Sequence, residues 1–273
     1  MILVTGATGN VGQEVVKELI KRNAEFHITT RQRDKEEIYF DFENPSSFKS
    51  ALTGVTKLFL LRPPHLADGK KYFQPVVDVA KEVGVQHIVF LSLLGVEKNP
   101  IVPHAKIEEI IKDSGIPYTF LRPSFFMQNL LSQHGEELRN QKIIEVPAGR
   151  GKTSFIDVRD IGEVAAKVLT EAGHEFQSYA LTGSKALTYY EVAEIISKET
   201  NEQITYTNPG IWKFRKKMIQ KGIKPDFIMV MIGIYTTAKL GLAKRITPDL
   251  LELLGRSPIT MEEFVHDYRE QII

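Results

Sequence analysis

The chain opens MILVTGATGNVGQEVVKELIKR, with Gly6, Gly9 and Gly12 three apart between an apolar run at 2–4 and a helical pattern. Few features restrict a fold so tightly. The aliphatic run predicts a strand, and Val11, Val15, Val16, Leu19 and Ile20 recur at helical spacing. A helix N-terminus leaves amide hydrogens unpaired and carries partial positive charge. Glycine lets another group come close to that backbone. Gly6 would turn the chain off the strand, Gly9 would admit a phosphate to the main chain, and Gly12 would let the helix pack on the sheet.

The spacing is Gly-x-x-Gly-x-x-Gly, not the commoner Gly-x-Gly-x-x-Gly. Glycines alone are a weak signal; a strand before them, a helix after them and a βαβ unit around them supply the context. Dinucleotide binding through Gly6, Thr8, Gly9, Asn10, Val11 and Gly12 is the expectation, against a turn used only for packing. The residue ending the second strand normally meets the adenosine ribose. Arg31 stands there, followed by Arg33. A guanidinium fits a 2′-phosphate and a carboxylate would repel it, so NADP(H) is preferred and NAD(H) remains possible. A solvated strand-end arginine is the alternative. Asp41 and Phe42 end the third strand and can line an adenine pocket, although a turn-forming Asp41 is nearly as good a reading.

Strands are predicted at 26–31, 37–42, 57–62, 85–95 and 116–123, with helices at 46–53, 72–83 and 103–114 between them. Ser46 or Ser47 can cap the first of these helices. Leu58–Leu61 and Ile88–Leu91 are apolar on both faces, as in a parallel sheet covered by helices on each side. After Asn129 the rhythm breaks. A strand at 154–158, a helix, a short strand near 178–184, a helix capped by Thr188 with Glu191, and a largely helical end follow. The fold class is therefore α/β, a Rossmann-type doubly wound parallel sheet with a smaller C-terminal α+β lobe. The expected domains are 1–150, with 151–172 returning to the sheet, and 173–273.

Composition excludes several classes. With 35 basic against 34 acidic residues the chain is not a strongly basic nucleic-acid binder. No cysteine means no disulfide, thiol nucleophile or thiolate metal site. The most apolar later stretch, 227–235, is about half of the ~20 residues a membrane span needs. Neither a membrane partner nor a signal peptide is expected, and a cytoplasmic protein is. The seven histidines are scattered, so no metal site is expected. No Gly-x-Ser-x-Gly elbow argues for a hydrolase.

VTGATGNVG, Arg31, HAKIEEIIKDSGIPYTFLRPSFFMQNL, FIDVRDIGEVAA, YALTGSKALTYYEVAEII and LLGRSPITMEEFV together resemble the NmrA-like branch of the atypical short-chain dehydrogenases/reductases, almost end to end. The resemblance implies a Rossmann domain with a small lobe over a cleft. It also implies either an NADPH-dependent reductase of quinones or triphenylmethane dyes, or a non-catalytic NADP-binding regulator with a protein partner. Typical superfamily members use Ser, Tyr and Lys. Here Ser92 stands where the serine would, but the Lys and Tyr positions carry His104 and Pro100. The Tyr235-x-x-x-Lys239 match lies far downstream and is what chance supplies. Reductases of the branch resemble this chain in His-x-x-x-Glu, here His104 and Glu108, one face of a helix. By that resemblance Ser92 and His104 are catalytic candidates, His104 also reaching the nicotinamide ribose, with Glu108 orienting it. A partly exposed His104 and a solvated Glu108 are the plainer reading.

Open α/β sheets bind ligands at strand C-termini. Leu60, Leu61, Arg62, Ser92 and Pro123 are therefore cofactor candidates. Leu94, Phe126 and Asn129 are substrate candidates, and Phe125, Phe126 and Met127 suit a flat apolar acceptor. Core packing, or a helix cap for Asn129, is the alternative at each. A quinone-like small molecule is the expected acceptor. Hydride transfer to it builds a delocalised, weakly basic anion, so a strong acid is dispensable. The basic stretch 212–224 reads as a lid, a partner face or, most simply, a solvated helix.

Overall fold

The computed structural model of the chain describes residues 1–32 and 37–273. Arg33 lies outside the described residues. The order begins β1 (Ile2–Val4), α1 (Asn10–Lys21), β2 (Phe26–Thr30), β3 (Ile38–Tyr39), α2 (Phe48–Leu52) and β4 (Lys57–Leu61). Then come α3 (Gly69–Tyr72), α4 (Gln74–Glu82), β5 (His87–Leu91), α5 (Pro103–Ser114) and β6 (Tyr118–Pro123). Next are β7 (Phe125–Phe126), α6 (Asn129–Ser132), α7 (Gly135–Gln141), β8 (Ile143–Glu145), β9 (Thr153–Ile156), α8 (Val158–Thr170) and β10 (Gln177–Leu181). The chain continues through β11 (Ala186–Leu187), α9 (Tyr189–Thr200), β12 (Thr205–Thr207), α10 (Ile211–Gln220) and α11 (Pro225–Lys239). It closes with α12 (Asp249–Leu254), α13 (Met261–Asp267) and α14 (Arg269–Ile272).

These elements form two compact units. The first holds Met1–Pro123, Val158–Leu181 and Asp249–Gly255. Its sheet has seven strands in the order β10-β6-β5-β4-β1-β2-β3, parallel throughout. The chain starts in the middle at β1, runs outward through β2 and β3, then crosses to β4 and proceeds the other way. The order reverses between β1 and β4, the switch point where open sheets form a ligand crevice. The glycine loop leaves β1 at that point.

Burial on both faces explains the apolar strands. Leu58, Leu60, Ile88, Phe90 and Phe120 share one core with Leu52, Val76, Val77, Ile107 and Ile111 of α2, α4 and α5. Alternate residues such as Phe59 and Val89, also fully buried, point to the opposite face, where α8 packs on α1 and reaches β4, β5 and β6. Gly162 of α8 permits that crossing: a Cβ there would stand 2.5 Å from Glu14 Cβ and 2.7 Å from its carbonyl carbon.

The second unit holds Ser124–Asp157, Thr182–Pro248 and Arg256–Ile273. Two small sheets, β11-β9-β7 and β12-β8, share one core with Phe214, Met218, Ile232, Tyr235, Phe264 and Ile272. Thr188 caps α9 in a capping box with Glu191, as the sequence indicates, and Thr260 with Glu263 does the same for α13.

Several boundaries differ from the sequence reading. The units do not divide at 150 and 172: residues 124–157 group with the second unit, while 173–181 brings β10 to the first. The reason is pairing between distant segments, Gln177↔Thr119 through Leu181↔Pro123, which no local pattern discloses. The helix expected at 72–83 is Gln74–Glu82, with a separate turn of helix at Gly69–Tyr72 before it, and the strand at 154–158 is Thr153–Ile156. Strand 37–42 shortens to Ile38–Tyr39 because Asp41 begins a turn. Ser47 precedes α2, but its hydroxyl donates to Asn44 O at 2.7 Å instead of capping the helix.

Candidate active site

Gly6 adopts φ +65°, the left-handed region that favours glycine, and its carbonyl accepts from Gly9 N at 3.0 Å. A Cβ on Gly12 would lie 2.1 Å from Gly6 O and 2.8 Å from Ala7 Cα, so Gly12 is demanded by packing. Gly9 differs. A Cβ there would meet Gly6 O at an ordinary 3.4 Å, and its backbone is extended. The fold itself does not require glycine at 9, and its open side leaves room for an outside group to approach the backbone. No side chain caps α1, and the first bond back to the loop is Gln13 N to Gly9 O at 2.9 Å. The amides of residues 10–12 are thus the orphan donors of a first turn. Thr8, Gly9 and Asn10 are exposed while Val11 is buried beneath them. This end fits a diphosphate.

Thr5, which the sequence reading passed over, fixes the crevice. Its buried hydroxyl donates to Phe59 O at 3.0 Å and accepts from Leu61 N at 2.9 Å. That clamp joins β1 to β4 beside the switch point. A buried threonine immediately before the first glycine was the available signal. Arg31 follows β2 directly and is exposed. Asp41 Oδ1 accepts from Glu43 N at 3.0 Å, the turn-forming reading. Phe42 is largely buried among aromatic rings. It is 8% exposed and packs at 4.9 Å from both Phe40 and Phe73. Leu60 likewise lies in the core with a fully buried side chain, on the face covered by α2, α4 and α5. Leu61 stays half-buried against Gly6, its Cδ2 3.2 Å from where a Cβ on that glycine would sit.

At the end of β4, Arg62 Nη1 donates to the carbonyls of Pro63, Pro64 and Leu66 at 3.1, 3.0 and 2.9 Å. Its Nε donates to His104 Nε2 at 3.4 Å. Burial, then the adjacent guanidinium, pushes the imidazole down to about 3. His104 is therefore neutral, and with Nε2 accepting, its proton sits on Nδ1. Glu108 does not orient it. Although 104 and 108 share a helix face, the carboxylate is buried at 3% exposure and turned toward β5 and β6. Glu108 Oε1 accepts from Ser92 Oγ at 2.6 Å and from Arg122 Nε at 2.9 Å, and Oε2 accepts from Arg122 Nη2 at 2.6 Å. The bidentate pair with Arg122 outcompetes a neutral imidazole. An arginine inside the apolar strand YTFLRP was the signal for it.

Pro123 is buried, Leu94 is half-buried, and Leu94 N donates to Pro123 O at 2.9 Å. The first unit thus gathers residues 6–12, Arg62, Ser92, Leu94, His104 and Pro123 around strand C-termini. Phe126 and Asn129 belong to the second unit. Phe126 is half-buried and pairs with Ile156. Asn129 accepts from Gln133 at 3.2 Å and does not cap α6. Met127 is core at 2% exposure. Tyr235 is core too, its hydroxyl 2.7 Å from His134 Nε2, which removes the Tyr235–Lys239 match from consideration. Among the described residues no cluster of histidines and carboxylates could hold a metal.

A parallel sheet with its phosphate-type cradle at the switch point defines a nucleotide-binding Rossmann protein. The model of the NmrA-like family matches residues 1–265, and the chain belongs to that family. Prestalk A differentiation protein A of Dictyostelium discoideum is 30% identical over 97% of this chain and 91% of its own. The NADPH-dependent quinone oxidoreductase of Escherichia coli, solved with NADPH, is 28% identical with TM-score 0.89, covering 98% of this chain and 100% of that one. The triphenylmethane reductase of Citrobacter sp., solved with NADP(H), is 27% identical with TM-score 0.88, covering 98% and 99%.

Proposed function

We propose that the chain is an NADPH-dependent reductase of quinones or similar conjugated acceptors. The observation that carries this is the glycine cradle at the switch point, open at residue 9, with Arg31 exposed at the end of β2. The activities of the quinone and dye reductases, both solved with the phosphorylated cofactor, support it. When bound, NADPH supplies the hydride. The amides of residues 10–12 hold the diphosphate, and Arg31 holds the 2′-phosphate.

The remaining residues are donors and acceptors of fixed sense. Ser92 spends its proton on Glu108, so its oxygen accepts. His104 offers Nδ1–H and stays neutral through the physiological range. Neither replaces a proton-donating tyrosine. A quinone does not need one: its reduced anion is delocalised and takes its proton from water. Orientation of donor and acceptor then supplies several kcal/mol of the rate.

A second reading keeps the cofactor and drops turnover, favoured by Pro100 and His104 standing at the Tyr and Lys positions. Steady-state oxidation of NADPH over a panel of quinones and cationic dyes separates the two. Turnover with NADPH well above that with NADH supports the reductase. Tight NADPH binding by calorimetry with no turnover across the panel removes it and leaves a cofactor-sensing regulator.

A further inference from the structure

Residues 211–246 carry nine lysines and arginines against a single acid, Asp226. The whole chain has a net charge of only +1, so everything outside this segment carries seven more acids than bases. The segment builds α10 and α11, which pack against each other in the second unit. Helix α10 buries Phe214 and Met218 and exposes Trp212, Arg215, Lys216 and Ile219. Those four are spaced i, i+3, i+4 and i+7, one strip along the helix. Trp212 is 81% exposed. The inward cations are used internally: Lys217 pairs with Glu137 and Glu145, and Lys221 with Glu136 and Glu137. Arg215, Lys216 and Lys224 make no ion pair with the described residues.

Helix α11 buries Ile228, Met231, Ile232 and Tyr235 and leaves Phe227, Met229, Val230 and Ile234 in solvent. A helix apolar all round belongs inside something. Leu240 and Leu242 beyond its end are 68% and 71% exposed and stand beside the exposed Lys239 and Lys244.

We propose that this basic, apolar face of the second unit docks on an anionic lipid bilayer, α10 and α11 lying in the headgroup layer. The inference does not depend on the reductase reading, and it departs from the sequence expectation of no membrane partner. Charge selects the occupant. A second copy would set the same positive surface against itself. A nucleic acid would satisfy the cations but leave the protruding aliphatic side chains in water. An anionic bilayer satisfies both, and an exposed Trp beside Lys and Arg is the composition of interfacial helices. No described helix is long and apolar enough to cross a membrane, so the protein lies on the surface.

The test is sedimentation of the full chain with phosphatidylglycerol–phosphatidylcholine vesicles. Trp212 is the sole tryptophan, so its emission reports this face alone. Binding to anionic and not to pure phosphatidylcholine vesicles is expected, weakened by salt and accompanied by a blue shift. The Arg215→Gln/Lys216→Gln variant should bind about 30-fold more weakly while retaining wild-type NADPH affinity by calorimetry. Failure to sediment with phosphatidylglycerol overturns the proposal, as does undiminished binding by the double variant. So does a stable dimer in sedimentation velocity that shields Trp212, or tighter retention by duplex DNA than by vesicles.

Discussion

At the scale of single residues, Glu108 shows how a shared helix face misleads. Its two oxygens are taken by Ser92 and Arg122, so its role is electrostatic support between α5 and β6. Glu108→Gln leaves the partly buried Arg122 with only the distant Glu97, 3.8 Å away, and should cost about 3 kcal/mol in urea unfolding. Ser92→Ala removes one hydrogen bond and should cost about 1 kcal/mol. Equal losses for the two would show that the arginine pair is not what holds the carboxylate. Arg31 carries the cofactor preference. Arg31→Glu should weaken NADPH by at least about 2 kcal/mol and leave NADH little changed. A calorimetric ratio of the two affinities that does not move would end the assignment of Arg31 to the 2′-phosphate.

Elements with strong local chemistry were legible in the sequence. Val11, Val15 and Leu19 repeat at helix spacing and are buried in α1. Thr188 and Glu191 spell a capping box and form one. The core strands β4 and β5 announce burial on both faces by unbroken apolar runs. What stayed hidden depends on contacts distant in sequence: β10 beside β6, Glu108 with Arg122, His104 with Arg62. That the side chains of Phe42 and Leu60 turn into the core was not legible either, because a strand's C-terminal end does not disclose which side chains turn inward. Glycine positions divide by the same logic. Gly12→Ala and Gly162→Ala both force a Cβ into backbone, at 2.1 Å and 2.7 Å. Gly162→Ala should destabilise by about 1–3 kcal/mol with NADPH affinity of the folded fraction kept. Gly9→Val should fold with near wild-type stability and lose NADPH. If Gly9→Val binds NADPH normally, the diphosphate does not rest where the cradle places it.

Across the whole molecule, the buried His87 and His134 and the half-buried His104 couple stability to pH in one direction. Burial pushes His87 and His134 down to about 4 and His104 down to about 3. His87 and His134 are only 2% and 5% exposed. In the unfolded chain each titrates near 6.5. Between 6.5 and the folded values the unfolded state binds protons that the native state refuses, so stability rises with pH there. The contribution is intact above about 6.5 and is lost as pH falls toward 4. By pH 5 His87 and His134 should each have cost about 2 kcal/mol, and the half-buried His104 less. Three together approach the whole stability of an ordinary domain, so cooperative acid unfolding should begin near pH 5, where most carboxylates are still ionised. Urea midpoints at pH 7 and pH 5.5 should show the drop. His87→Gln should make it shallower, because one proton fewer is taken up on unfolding. A midpoint that holds steady across this range would mean that these imidazoles are protonated, or reach water, in the native state.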